Sequence, residues 1–485
     1  MKSTSVGPSG PGAKEKCGLF GVFGDPAAVE KCFLGLHALQ HRGQESAGMV
    51  LSDGETLYGF TGMGLVGEVF PQRRMKEMSD LHAHVAIGHV RYSTTGSSQL
   101  INAQPLLVEY SLGQVAVAHN GNLINATLLR DEYEAHGHIF QGSSDSEIII
   151  HLLAKPTHIT KPDPIAHVLN HLQGAFCLLL LYPDRIEAVR DSYGIRPLCL
   201  GRLPASGAYI VASETCALDI IEAEFIREVE PGEIVTIDET GLHSRYFDGP
   251  VAVTPAHCIF EQVYFADPSS TVFGENVHLA RTRMGQQLAR EAPASADLVI
   301  PVPNCARCAA GGYAQESGIP HARGFTVSHY AGRTFIEPQQ PMRDLAVKMK
   351  LNVIKEVVRG KRLVVIEDSI VRGTTTRGKM GALRRAGATE IHLRVACPPI
   401  RHPCYYGIDF PSCEELIANN RSVDEIRDYL EVDSLVYLSL EGMLSCVKEP
   451  PQNYCNACWS GKYPIHVDEA VSKFAFERYQ KRLFE

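Results

Sequence analysis

The chain predicts two architectures in series: an α+β first half of stacked antiparallel sheets with helices outside, then an open parallel α/β sheet that runs into a helical tail. Three observations carry this. Up to about residue 248 the sequence runs in short apolar strands separated by turns, with few long helices. From Cys258 onward strand and helix patterns alternate, as they do in βαβ units. The 485 residues, 45% hydrophobic and 21% charged, exceed one ordinary domain and suffice for a core in each part.

Composition excludes several function classes. The net charge is −9 and no cluster of Lys and Arg occurs, which argues against nucleic acid as the main partner. The longest apolar run, Phe176 to Tyr182, is far short of the ~20 residues a membrane helix needs, so no membrane partner is expected. Met1 to Lys16 is rich in Gly, Pro, Ser and Lys with no apolar stretch, unlike a secretory signal, and a cytoplasmic location is expected. In that reducing setting the 14 cysteines are thiols, metal ligands or nucleophiles rather than disulfides.

In order, residues 1–16 read as a leader, and Cys17 heads the glycine-punctuated strand CGLFGVFG. Asp25 and Pro26 read as N-cap and N1 of a helix to about Gln40, followed by a polar turn, His41 to Glu45, and a strand, Ser46 to Leu51. Asn120-Gly121 has the composition of a turn. The first unit spans 17–248, with its boundary near Asp248-Gly249-Pro250. The second, 256–445, holds strand Leu298 to Val302, helix Ala309 to Glu316, strand 363–367, helix Thr376 to Ala386 and strand Ile391 to Ala396. The tail, 446–485, places Cys455-Asn456-Ala457-Cys458 in a turn before a final helix, Asp468 to Leu483.

The most specific stretch is Leu363 to Gly378, LVVIEDSIVRGTTTRG. Leu363 to Ile366 form an apolar run of the kind a parallel sheet buries on both faces. Glu367 and Asp368 then fall at the strand's carboxyl end, where open α/β sheets bind ligands. Ser369, Ile370, Val371, Arg372, Gly373, Thr374 and Thr375 supply a glycine, hydroxyls and closely spaced N–H groups leading into a helix, a turn that wraps a phosphate. Carboxylates for ribose hydroxyls and a loop for a 5-phosphate suit a sugar phosphate. For a generic acidic-pair loop, an ordinary strand-loop-helix with a solvated acidic pair is an equal reading. The full stretch is more specific and resembles the 5-phosphoribosyl-1-pyrophosphate (PRPP) motif of type I phosphoribosyltransferases.

A cysteine heading a glycine-rich strand is, alone, more often a packing residue. Four segments change that: HRGQESAG at 41–48, GHVRYSTTGSS at 88–98, AHNGNLINA at 118–126 and SSDSE at 143–147. With CGLFGVFG they resemble the αββα glutaminase domain of N-terminal-nucleophile amidotransferases. Glutamine's amide is a poor electrophile, so its hydrolysis calls for a thiolate-like nucleophile, a base and oxyanion donors. If the leader is cut before Cys17, the freed α-amino group, with an ordinary pKa of ~8, can act as base for its own thiol. The resemblance implies that the Asn120 side chain and the Gly121 N–H form the oxyanion hole. It also implies that Arg91 pairs with the α-carboxylate of glutamine and Asp145 with its α-amino group. Singly, Asn120-Gly121 is also a common hairpin turn, and Arg91 a surface charge.

Together the two halves resemble one family, the glutamine phosphoribosylpyrophosphate amidotransferases. Tyr330 to Ile336, which contains Arg333, and Arg343 to Leu351 look like that family's flexible catalytic loop and the segment after it; CPPIRHPCYYGID at 397–409 is similar to its late strand. The implied reaction hydrolyses glutamine at Cys17 and passes ammonia to C1 of magnesium-bound PRPP, giving 5-phosphoribosylamine, pyrophosphate and glutamate. Glu367 and Asp368 would hold ribose and metal, residues 369–375 the 5-phosphate, and Arg333 would also contact PRPP. The sequence departs from the family around pyrophosphate. Asn304-Cys305-Ala306-Arg307 stands where an acidic residue followed by Ser or Thr is usual, and the Cys305 thiol is a soft, poor magnesium ligand. Ser328-His329 replaces the usual Asn-Arg, and Glu367 the commoner Asp.

Cys455 and Cys458 alone are open to zinc, redox chemistry or coincidence. Cys258 and Cys404 stand where the cluster-bearing branch of the family places its other ligands, implying one [4Fe–4S] cluster of structural role, with tetrahedral zinc the alternative. Cys177, Cys199 and Cys397 read as packing. The family also implies a homotetramer with purine nucleotides as feedback inhibitors. The rival readings are a PRPP-sensing regulator and an ammonia-only or retired homologue.

Overall fold

In the computed structural model the described residues are 17–92, 98–247, 253–327, 351–409 and 413–467. Thirteen strands build the first half: β1 (Gly18–Phe23), β2 (Ser46–Ser52), β3 (Leu57–Met63), β4 (Val85–Arg91), β5 (Leu106–Tyr110), β6 (Gly113–Leu123), β7 (Gly174–Leu181), β8 (Ile186–Arg190), β9 (Cys199–Arg202), β10 (Tyr209–Ala212), β11 (Glu224–Glu228), β12 (Glu233–Asp238) and β13 (Gly241–Tyr246). They form two antiparallel sheets, ordered β11-β9-β10-β1-β4-β2-β3 and β13-β12-β8-β7-β6-β5.

Alternation along the strands explains why the sheets stack. Leu19 and Phe23 of β1 point into an apolar layer shared with Ala118, Leu179 and Leu181 of the other sheet, while Phe20 and Val22 pack outward with Val29, Cys32 and Leu36 of the helix Ala28–Ala38. The second sheet turns its other face to a layer containing Leu129, Ile148 and Leu152 from its own helices. Covered on both sides, β1, β4 and β7 are buried at every position. This is the expected helix–sheet–sheet–helix order.

The second half begins with β14 (His257–Cys258) and the short hairpin β15–β16 (Thr271–Val272, Glu275–Asn276). It continues with β17 (Leu298–Pro301), β18 (Phe325–Val327), β19 (Leu351–Val353), β20 (Arg362–Glu367), β21 (Glu390–Val395), β22 (Ser434–Tyr437) and β23 (Tyr454–Cys455). Strands β17-β20-β21-β22 form a parallel sheet, with helices Arg307–Ser317, Thr374–Arg385 and Val423–Leu430 between them in sequence and helix Val277–Glu291 before the first of them. The tail returns to the start of this half, where β23 pairs in parallel with β14 and sets Cys455 opposite Cys258. The halves share a core: Ile124, Ala175 and Ile195 lie in the same apolar cluster as Val364 and Leu393.

Several boundaries differ from the sequence reading for local reasons. The first helix begins at Ala28, not Pro26, because Asp25 Oδ1 accepts from Ala27 N at 2.8 Å and closes a turn of its own. Asn120-Gly121 is no turn: both lie inside β6, paired with Cys177 and Phe176 of β7. The helix after β20 starts at Thr374, two residues early, because Gly373 turns the chain with a left-handed φ of 77°. Cys455 and Cys458 are divided between β23 and the helical turn Ala457–Ser460. The leader, the boundary at 248–250, the loop with Arg333, the Ser328-His329 pair and the final helix lie outside the described residues. Among those described, no helix is long and apolar enough to cross a membrane.

Two candidate active sites and a cysteine centre

Four separated segments converge on the first site. Cys17 precedes β1, Arg91 ends β4, Gly121 lies on β6, and Asp145 stands before the helix Ser146–Ala154; together with Gln104 and His119 they line one narrow pocket. Cys17 is buried, its thiol donating to the Tyr92 carbonyl at 3.6 Å and its own carbonyl accepting from Arg42 Nε at 3.1 Å. Burial pushes the thiol up to about 11, against the pull of the Tyr92 contact and of Arg91. At neutral pH it is protonated and needs a base.

Two charged residues of the pocket are held from outside it. Asp145 Oδ2 accepts from Leu123 N at 3.0 Å, which ties it to the end of β6, and Arg91 Nη1 lies 3.8 Å from Glu45. Gln104 braces the floor, accepting from His119 N at 2.7 Å and donating to Ser146 Oγ at 2.9 Å. Next to Gly121, the Asn120 side chain is 1% exposed, and neither its Nδ2 nor its Oδ1 has a hydrogen-bond partner among the described residues. A Cβ at Gly121 would lie 1.9 Å from the Ala175 carbonyl, so the backbone there admits no side chain.

The second site stands at the carboxyl end of the parallel sheet. Glu367 closes β20, and Asp368 follows; both are buried. Lys379, one face along the next helix, places Nζ 3.3 Å from each Glu367 oxygen, and Ser369 Oγ donates to Asp368 at 2.8 Å. Burial pushes the Glu367 carboxyl up to about 7, with Lys379 pulling it down and Asp368 pushing it further, and Asp368 is itself raised by burial. Ile370 and Val371 are buried, anchoring the loop to the core, whereas Ser369, Arg372 and Thr375 are partly exposed and Thr374 is exposed. No side chain caps the helix Thr374–Arg385, so its first N–H groups remain available to an anion. Cys305 lies in the turn after β17; since β17 runs parallel to β20, with Pro301 opposite Ile366, that turn flanks the carboxylate pair at the same sheet end.

Cys258, Cys404, Cys455 and Cys458 come together from three segments. Each is a free thiol, buried or half-buried, and burial together with charge repulsion from one or more of the other three raises Cys404, Cys455 and Cys458. Burial raises Cys258 to about 11, with Arg196 pulling it down. Such a group of soft donors in one apolar enclosure, with a buried guanidinium near three of them, fits a metal centre that would hold them as thiolates.

Two features escaped the sequence reading. Lys379 had only its place in the helix after the acidic pair to mark it. The other is a buried chain of charges between the halves: Arg42 donates to Glu261 at 3.0 and 3.1 Å and also pairs with Glu214, and Glu261 lies 3.5 Å from Arg196. Burial alone would raise Glu214, but His41 and Arg42 hold it well below the usual carboxylate range. These partners are up to 219 positions apart, beyond any spacing rule.

Comparison with known proteins bears on both sites. Residues 89–219 match the family model of a glutamine amidotransferase domain. A chloroplastic amidophosphoribosyltransferase of Glycine max is 49% identical over 95% of this chain and 80% of its own length. The amidophosphoribosyltransferase of Synechococcus elongatus is 45% identical over 95% of this chain and 93% of its own. Among solved structures, the glutamine PRPP amidotransferase of B. subtilis complexed with ADP and GMP superposes with a TM-score of 0.87, at 44% identity, over 94% of this chain and 99% of that one.

Proposed function

The chain belongs to the amidophosphoribosyltransferases, and from that premise we infer how its residues divide the work. The enzyme catalyses glutamine-dependent amidotransfer to PRPP in purine biosynthesis. We assign glutamine hydrolysis to residues 17–248, phosphoribosyl transfer to 256–445 and the closing of the cysteine centre to 446–485. The antiparallel sheets end at Tyr246 and the parallel sheet lies between Leu298 and Tyr437, which supports that division.

At the first site Cys17 would attack the amide carbon of glutamine, its proton passing to its own α-amino group once residues 1–16 are removed. Arg91 and Asp145 would hold the two charged ends of the substrate. The observation that carries this reading is the Asn120 amide, which stands between two pocket-lining residues, His119 and Gly121, and is buried without a partner among the described residues. A buried unpaired donor is costly, and an oxyanion beside it would satisfy it. Gly121 N–H would be the second donor. The ammonia released would then attack C1 of PRPP, with pyrophosphate leaving.

At the second site Glu367 and Asp368 would face the ribose hydroxyls and the magnesium that PRPP brings, and residues 369–375 the 5-phosphate. Hard oxygen donors suit magnesium, so the carboxylates rather than the Cys305 thiol would serve it. Arg333 would contact PRPP. A [4Fe–4S] cluster on Cys258, Cys404, Cys455 and Cys458 would supply cross-linking of the tail to the sheet, not electrons for the reaction. The B. subtilis protein is complexed with ADP and GMP, which supports purine nucleotides as inhibitors of this enzyme; the family resemblance implies a homotetramer.

An anaerobic assay tests the division of labour. Glutamine plus Mg-PRPP should yield glutamate and pyrophosphate in equal amounts, and mature protein should have an intact mass beginning at Cys17. Pyrophosphate release with ammonium salts but never with glutamine would leave only the ammonia-dependent homologue.

A further inference from the structure

A group of imidazoles lies on the glutaminase half, outside both sites. The helix Ser146–Ala154, which begins after Asp145, is followed by two short helices, Pro156–Ile159 and Pro164–Leu169. His158 sits on the first, His167 on the second and His171 just beyond it, and one nitrogen from each ring lies within 4.8 Å of the others. The ring centroids are 4.8 Å apart for His158 and His167, 5.0 Å for His158 and His171, and 4.8 Å for His167 and His171. His167 and His171 are four residues apart, a separation that brings side chains to one helical face and that zinc sites use.

Two of the rings are oriented from behind. His158 Nδ1 donates to the Leu152 carbonyl at 3.0 Å, and His171 Nδ1 to the His167 carbonyl at 2.8 Å. A ring that donates from Nδ1 keeps its Nε2 lone pair for a ligand, which is how metal-bound histidines are fixed.

We propose that His158, His167 and His171 bind a divalent transition-metal ion of the zinc class, with water completing a tetrahedral shell. Imidazole nitrogen suits Zn2+, Ni2+ and Cu2+, while Mg2+ and Ca2+ prefer oxygen. His158 is buried and His171 exposed, so the set opens to solvent on one side, where the water would sit. The bound ion fastens Pro164–Leu169 to Pro156–Ile159, whose His158 ring holds the Leu152 carbonyl of Ser146–Ala154, the helix whose other end carries Asp145. It is a staple behind the glutamine pocket, remote from the reacting atoms.

Co2+ titration of the holoenzyme tests this, with the cysteine centre intact and excess Mg2+ present to fill oxygen sites. Wild type should take up one Co2+ more than His171→Gln, with the comparatively strong visible d–d bands of tetrahedral Co2+ and no sulfur-to-cobalt charge-transfer absorption. His171 is exposed, so its replacement leaves the fold intact; His167→Gln is the second variant. Each should weaken Co2+ binding by more than the roughly 10–100-fold that losing an outer hydrogen-bond partner costs. Zn2+ should raise the Tm of wild type and not that of His171→Gln. Equal uptake by wild type and both variants, or uptake with sulfur absorption only, overturns the site.

Discussion

Among the described residues, Asn120 carries a buried amide without a partner and Glu367 a carboxyl raised by burial, two states that a bound substrate would relieve. Leaving a buried amide unpaired costs about 1–3 kcal/mol. Asn120→Ala should therefore lower glutamine-dependent kcat by roughly 10²–10³, the usual cost of losing one oxyanion donor, while turnover with ammonium salts and Tm stay level or Tm rises. Equal loss of both activities would place Asn120 outside the glutamine site. Glu367 presents the opposite case, a carboxyl pushed up to about 7 by burial before any ligand arrives. Below that pH the free site holds a proton that Mg-PRPP must displace, so apparent PRPP affinity should weaken as pH falls through 7 and binding should release protons. Calorimetry in two buffers of different ionisation heat measures this. Glu367→Gln should abolish the buffer dependence, and a wild type without it would remove Glu367 from the binding event.

The strand β20, its loop and the following helix were the most legible part of the chain, because each piece is set locally: an apolar run, an acidic pair, a glycine. Gly373 is the sharpest of these, holding φ 77° with the position of a Cβ only 2.7 Å from Ile417 Cδ1. Gly373→Ala should cost about 1–2 kcal/mol in backbone strain and raise the KM for PRPP through a displaced loop, leaving basal glutaminase as it was. An unchanged KM would mean that the loop does not hold the 5-phosphate. Asn120-Gly121 misled for the converse reason. Its turn propensity is real, but eight register pairs between β6 and β7 override it. Asp25 likewise made a turn with Ala27 where a helix cap was expected, a difference of one local hydrogen bond. The Arg42–Glu261 pair was illegible because nothing in one sequence relates positions brought together only by folding.

The segment 403–407 connects the cysteine centre to the glutamine pocket. On one side the tail grips it: Tyr463 Oη donates to the Pro403 carbonyl at 2.7 Å and Tyr406 Oη to the Ile465 carbonyl at 2.7 Å. On the other it grips β6 and the segment before β9: Asn122 Nδ2 donates to the Tyr405 carbonyl at 2.9 Å, a Cβ at Gly407 would sit 3.0 Å from the Gly121 carbonyl group, and Arg196 donates to the Tyr406 carbonyl. Cys404 lies at the centre of this segment, and Arg196 continues through Glu261 to Arg42, which holds the Cys17 carbonyl. If Cys404 is a ligand of the proposed cluster, its loss would free the tail, and the loosened segment would no longer press Gly121 into place. Cys404→Ser should therefore lose its iron, expected at about four atoms per chain, and with it glutamine hydrolysis measured without PRPP. Cys177→Ser, on β7 and outside the proposed ligand set, should keep its iron. If Cys404→Ser lost iron yet hydrolysed glutamine at the wild-type rate, the cysteine centre would fasten the tail alone and have no hold on the first site.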